Sequence, residues 1–169
     1  MNTFEVLMLA LFLGICLGVG AVGGFFTSSS VKTWFPTLCK PSWNPPSWLF
    51  APVWTTLYIM MAIAGWAVWR DGRFMSVAGG LYVLQLILNF AWSWLFFGLK
   101  RPDLALIEVI MLWASILATL TAFWQINPLA GWLFVPYLAW VTFASFLNHA
   151  IWKLNPKVKR LGTDGRRTH

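Results

Sequence analysis

The sequence predicts an all-α membrane protein, a bundle of five transmembrane helices. Two observations carry this. The 169 residues are 59% hydrophobic and only 10% charged, whereas soluble domains carry about 25% charged residues. The few charges also leave long stretches clear. Val6 to Phe26, Trp48 to Trp69 and Phe74 to Leu99 carry none. Leu104 to Asn127 holds only Glu108, and Leu129 to Trp152 has no Asp, Glu, Lys or Arg. Each stretch matches the roughly 20 apolar residues a helix needs to cross a bilayer core.

The expected helices are about residues 4–26, 48–69, 74–99, 103–125 and 129–153. Together they make one domain over 1–154, followed by a basic, disordered cytoplasmic tail over 155–169. A cleaved leader is the competing reading of helix one. It lacks a basic start, since Glu5 is the only early charge, and its apolar run is too long. Helix one also carries Gly14, Gly18, Gly20 and Gly24. Such small-xxx-small pairs let helices pack closely.

Thr27-Ser28-Ser29-Ser30 opens a polar loop ending near Ser47. At roughly twenty residues it is long for a plain connection, and it could serve as a lid. Its end is stiff and aromatic: Trp43-Asn44-Pro45-Pro46-Ser47-Trp48 runs into Pro52-Val53-Trp54-Thr55-Thr56-Leu57-Tyr58. Proline fixes the backbone, and indole offers a large flat face with one polar handle. This chemistry suits a flat apolar ligand better than a small ion. Pro45 and Pro46 fit the entry of helix two, and Pro52 is a kink candidate near its start. Asp71-Gly72 makes the next turn. Asp103 is the expected N-cap of helix four. Asn127-Pro128 ends that helix, and Pro136 predicts a kink in helix five.

With five spans the termini lie on opposite sides. Ten of the twelve Lys and Arg fall on the side of the carboxyl terminus and the Trp43 loop; only Arg70 and Arg73 fall on the other. The positive-inside rule then places the amino terminus outside and the carboxyl terminus in the cytoplasm. Apolar helices point to a bacterial inner membrane, since outer membranes favour barrels. The charge asymmetry accounts for the basic tail without a nucleic-acid partner. Cys16 and Cys39 have no metal-ligand spacing and are not expected to pair in a reducing compartment.

Three helices carry aromatic and polar residues at spacings of three and four, which share one face: Trp54, Tyr58, Met61 and Gly65; Gln85, Asn89, Trp92 and Phe96; Tyr137, Trp140, Ala144 and Leu147, with Asn148 adjacent. Such stripes usually mark the packing seam of a bundle. Gln85 and Asn89 add something, because an unsatisfied amide in hydrocarbon is costly. They must face protein, water or a ligand. Glu108 is the one acid well inside a span; a proton relay needs a chain of such groups. No catalytic constellation, metal cluster or nucleotide fingerprint is present. His149 reads as an ordinary polar residue rather than a haem ligand.

These blocks, with Phe96-Phe97-Gly98 and Pro136-Tyr137-Leu138-Ala139-Trp140 through Leu147-Asn148, resemble the TspO/MBR family over about residues 5–155. That family joins bacterial tryptophan-rich sensory proteins and the mitochondrial translocator protein, the peripheral-type benzodiazepine receptor. The resemblance implies a five-helix bundle, commonly a homodimer, that binds porphyrin or haem as ligand rather than as a required cofactor. It also implies benzodiazepine-type ligands. By position, Trp54, Tyr58, Asn89, Trp92, Trp140, Ala144 and Leu147 would line the pocket under a lid containing Trp43 and Pro45. Trp54 and Trp140 match the tryptophans linked to light-dependent porphyrin breakdown, so they are the redox candidates.

Two features depart from the family pattern. His149 stands where the cholesterol motif has Tyr, which counts against cholesterol. Gly80 is followed four later by Leu84, and Gly79 by Val83, which erodes the helix-three dimer pattern. The expected function is therefore a membrane tetrapyrrole-binding protein and sensor. The alternatives are a transporter of porphyrins or other amphipathic molecules, or a light-dependent porphyrin-degrading activity. Lys32 or Lys40 could meet the propionates.

Overall fold

A computed structural model describes residues 2–156. From residue 157 on, the expected basic tail lies outside the described residues. The chain forms α1 (Thr3–Thr33), α2 (Phe50–Arg70), α3 (Val77–Ser93) running into a π turn (Trp94–Gly98), α4 (Pro102–Ile126) and α5 (Pro128–Leu154). Among the described residues, five helices are long and apolar enough to cross a membrane. α1 packs on α2 and α3, α2 on α5, and α5 and α3 on α4. The order around the bundle is therefore α1, α2, α5, α4, α3.

α1 runs on through Thr33, where the sequence predicts a loop from Thr27. The hydroxyls explain the difference. Thr27 donates to Gly23 O at 2.9 Å, Ser28 to Phe25 O at 3.0 Å and Thr33 to Ser29 O at 2.9 Å. Each polar side chain thus folds back on its own helix, as Ser and Thr do inside membranes. Ser30 instead crosses to α3 and donates to Phe97 O at 2.6 Å. That carbonyl belongs to the π turn, where the regular ladder is broken.

The helix ends follow the expected chemistry with one shift. Asn2 and Glu5 form a capping box on α1, and Ser76 caps α3. Asn127 caps α5 by accepting from Leu129 N and Ala130 N, and its amide also donates to Asp71 at 2.8 Å. This ties two turns at one end of the bundle. The start of α4 differs from expectation: Arg101, not Asp103, is the N-cap residue, because Pro102 occupies the first helical position. A missing amide proton costs nothing there. Asp103 takes a two-pronged ion pair from Arg101, at 2.9 and 2.6 Å. Pro52 is the third residue of α2, where the amide has no helical partner in any case. α5 continues through Pro136.

Gly79 is required by a close approach. A Cβ there would lie 1.9 Å from Phe74 O, in the turn that leads into α3. Backbone cannot yield as a flexible side chain would.

The loop from α1 to α2 is anchored at both faces. Phe35 and Leu38 are buried in the core. Phe35 packs on Phe50, Phe96 and Phe97. Lys40 donates to Phe35 O at 2.8 Å and Leu38 O at 3.1 Å, and lies over the Phe35 ring. Asn155, just past α5, clasps the loop: it accepts from Cys39 N at 3.0 Å and donates to Cys39 O at 2.9 Å. Asn155→Ala should therefore free the loop. The expected result is faster maleimide labelling of the exposed Cys39 thiol, by several-fold. Labelling at the wild-type rate would show that the clasp holds nothing.

Candidate functional site

Two spaces open among the aromatic side chains at the loop end of the bundle. The larger is a cavity of about 460 Å³ between α1, α2 and α3. Pockets for drug-sized ligands run from roughly 300 to 1,000 Å³. α2 contributes Phe50, Ala51, Trp54, Thr55 and Tyr58, with Ser47 just before it. α3 and its π turn contribute Trp92, Ser93 and Phe97. The α1 wall is Leu17, Gly20, Ala21, Gly23, Gly24, Thr27, Ser28, Val31 and Lys32.

Glycine makes that wall. A Cβ on Gly20 would sit 2.6 Å from the Tyr58 ring, so α1 approaches Tyr58 only because Gly20 has no side chain. A Cβ on Gly24 would meet nothing within 4 Å, so the position opens onto the cavity it lines. Gly14 and Gly18, read as packing residues, also have open space before them.

A polar relay fixes the cavity floor. The Tyr58 hydroxyl donates to Asn89 Oδ1, and Asn89 Nδ2 donates to the Tyr137 hydroxyl at 2.8 Å. All three residues are buried. The network joins α2, α3 and α5, so the amide that sequence reasoning required to find a partner finds two. Trp54 is braced over it, with ring centroids 5.8 Å from Tyr58, 6.4 Å from Trp92 and 6.2 Å from Tyr137. Gln85 differs: it is fully buried and neither amide atom has a hydrogen-bond partner.

The smaller space is a gap of about 20 Å³, lined by Phe35, Trp92, Phe96, Trp140, Phe143, Ala144, Leu147 and Asn148 among others. That is room for about one water molecule. Three of its polar atoms are unpaired: Trp92 Nε1, Trp140 Nε1 and Asn148 Oδ1 are buried without partners. Phe50, Trp92 and Phe97 line both spaces and form the partition between them.

The nine sequence-selected positions therefore divide. Trp54, Tyr58 and Trp92 line the large cavity, and Asn89 lies beneath it, bonded to Tyr58. Trp140, Ala144 and Leu147 line the small gap, across the Trp92 partition. Trp43 lies in the loop against Phe143, ring centroids 5.7 Å apart. Pro45 follows it, its carbonyl accepting from the Asn44 amide at 2.9 Å. His149 is exposed beside Trp152 and lines neither space. Glu108 is buried, both oxygens without a hydrogen-bond partner, and it too lines neither. Among the described residues no group of His, Cys, Asp and Glu could hold a metal.

Sequence reasoning missed the α1 wall. A signal was present: Leu17, Gly20, Gly24, Thr27, Ser28 and Val31 continue one helical spacing past Phe26, which argues that the helix runs on. Phe50 and Phe97 lie outside the three stripes, so spacing does not single them out.

Fold and cavity together define a multi-pass membrane protein with an aromatic cavity inside a five-helix bundle. The TspO/MBR family model matches residues 12–153, and the chain belongs to that family. It is similar to the tryptophan-rich protein TspO of Chlorobaculum tepidum, 46% identical over 156 residues, which is 90% of this chain and 98% of that relative. The translocator protein of Homo sapiens is 41% identical over 79% of this chain and 82% of its own length. The tryptophan-rich sensory protein of Cereibacter sphaeroides is 40% identical over 86% and 92%.

Proposed function

We propose that this protein binds tetrapyrroles, porphyrin or haem, in the α1–α2–α3 cavity and acts as a membrane sensor for them. Flat benzodiazepine-type drugs would enter the same space. The observation that carries this reading is the cavity itself: about 460 Å³, walled on one side by α1, open at Gly24, and on the other by Trp54, Tyr58 and Trp92. A flat macrocycle needs an aromatic face and room beside it, and the cavity offers both. Stacking on indole and phenol rings supplies affinity with little demand on polar geometry. The gap beside Trp140 holds far too little volume for such a ligand while Phe50, Trp92 and Phe97 stand where they do. Entry there would need the partition to move.

The reading places the loop end of the bundle in the cytoplasm of a bacterial inner membrane. Lys32, Lys40, Lys100, Arg101 and Lys153 gather at that end, Arg70 and Arg73 at the other, which fits the positive-inside rule.

The test is quenching of tryptophan fluorescence on titration with protoporphyrin IX. Trp54→Ala should raise Kd by about tenfold, roughly 1.4 kcal/mol, because the ring forms a wall that no neighbour replaces. Trp140→Ala should have less effect on affinity. Equal affinity in wild type and Trp54→Ala would remove the cavity assignment. Liposome flux separates transport from binding: a porphyrin gradient that collapses no faster with protein than without leaves binding alone.

A further inference from the structure

We infer that Lys32 sets the ligand class of the cavity: it takes planar amphiphiles bearing a carboxylate at one edge, and Lys32 holds that carboxylate at the loop end. This rests on the reading that the cavity binds tetrapyrroles, and it narrows the class.

The donors along the wall decide what it can hold. A carboxylate needs N–H or O–H groups, ideally on a cation, and several hydroxyls in the wall are already engaged. Thr27, Ser28 and Thr55 each donate their hydroxyl proton to a helix carbonyl, Gly23, Phe25 and Ala51. The Tyr58 proton goes to Asn89. Ser47, Ser93 and Trp92 Nε1 remain as neutral donors, but Lys32 is the one cation in the lining, and its ammonium has no ion-pair partner among the described residues. No Asp or Glu is among the lining residues to compete for it.

Lys40, in the loop that follows α1, is already engaged. Lys40 donates to the carbonyls of Phe35 and Leu38 and lies over the Phe35 ring. It holds the loop and lines neither space. The structure therefore separates two lysines that the sequence leaves equivalent.

Position supports the same conclusion. Lys32 is in the last turn of α1, where unpaired carbonyls give the helix end a partial negative charge. An anion placed there without a cation would be repelled. From Leu17 to Lys32 the α1 wall rises about 22 Å, at 1.5 Å per residue. A macrocycle can thus lie against Gly24, above the point where Gly20 meets Tyr58, with its acid edge at Lys32. The cavity lies between α1 and the helices beside it, so the acid reaches Lys32 without displacing the Phe35 loop.

The experiment compares protoporphyrin IX with its dimethyl ester by tryptophan quenching, in wild type, Lys32→Gln, Lys32→Arg and Lys40→Gln. A charge-assisted hydrogen bond at an exposed site predicts that Lys32→Gln weakens the acid by about tenfold. The ester should change by less than about twofold. Lys32→Arg should retain acid binding, and Lys40→Gln should leave the preference for acid over ester unchanged. An unchanged preference in Lys32→Gln overturns the inference, as does a preference lost only in Lys40→Gln. Ester binding also reports an intact fold. Should wild type bind the ester and show no preference for the acid, Lys32 fails while the tetrapyrrole reading stands. Should it bind neither, the tetrapyrrole reading fails and Lys32 with it.

Discussion

Gly24→Leu is expected to abolish tight protoporphyrin binding while leaving the bundle as stable as the wild type. Gly24 lines the cavity, and a Cβ there meets nothing within 4 Å. The side chain thus starts into space that the ligand needs, with its Cβ clear of protein. A larger side chain in a filled core costs about 1–3 kcal/mol. Here that cost appears only on binding, as a loss of tenfold or more. Leucine also favours helix over glycine by roughly 0.5–1 kcal/mol, so the melting temperature should not fall. Gly14→Leu is the matched control: the same helix, the same open surroundings, but no place in the cavity wall. It should bind as wild type does. Equal loss in both would mean that leucine disturbs α1 generally and that the cavity assignment is wrong.

The second large effect is on the floor of the cavity. Asn89→Leu strands two buried hydroxyls, on Tyr58 and Tyr137. An orphaned buried donor or acceptor costs about 1–3 kcal/mol. Single interhelical hydrogen bonds in membrane proteins average only about 0.6 kcal/mol, because freed groups find other partners. The Tyr137 hydroxyl is fully buried, so a substitute partner is hard to reach. A loss of about 2 kcal/mol is expected, read as a lower unfolding midpoint. Removing both hydroxyls as well, with Tyr58→Phe and Tyr137→Phe, should restore part of it, since no orphan then remains. A triple variant no more stable than Asn89→Leu would assign the loss to packing instead.

Much of the fold was legible because one property dominates it. Uninterrupted apolar runs can only be helices in a bilayer, and the charges mark their ends. What the sequence hid has a common cause: groups whose role depends on a partner in another helix, or on having no side chain at all. The Thr27–Ser30 run looks like a loop by composition, yet the Thr27 and Ser28 hydroxyls bond within α1 and Ser30 reaches Phe97 O. Gly20 and Gly24 read as packing residues, yet Gly20 lets α1 meet Tyr58 and Gly24 leaves the cavity wall open. Asn89 was legible as needing a partner; that both partners would be tyrosines from different helices was not. The stripes gave Trp54, Tyr58 and Trp92 but could not show that Trp92, with Phe50 and Phe97, would divide them from Trp140, Ala144 and Leu147.

The central claim is that a tetrapyrrole lies between α1 and the aromatic face of α2 and α3. A structure of the protein in a bilayer with protoporphyrin IX bound tests it most directly. The account predicts the macrocycle against Gly24 on one face and Trp54 on the other, with an acid edge near Lys32 and the Phe50–Trp92–Phe97 partition in place. A macrocycle seated against Trp140 and Leu147 beneath a displaced Phe35 loop would contradict it.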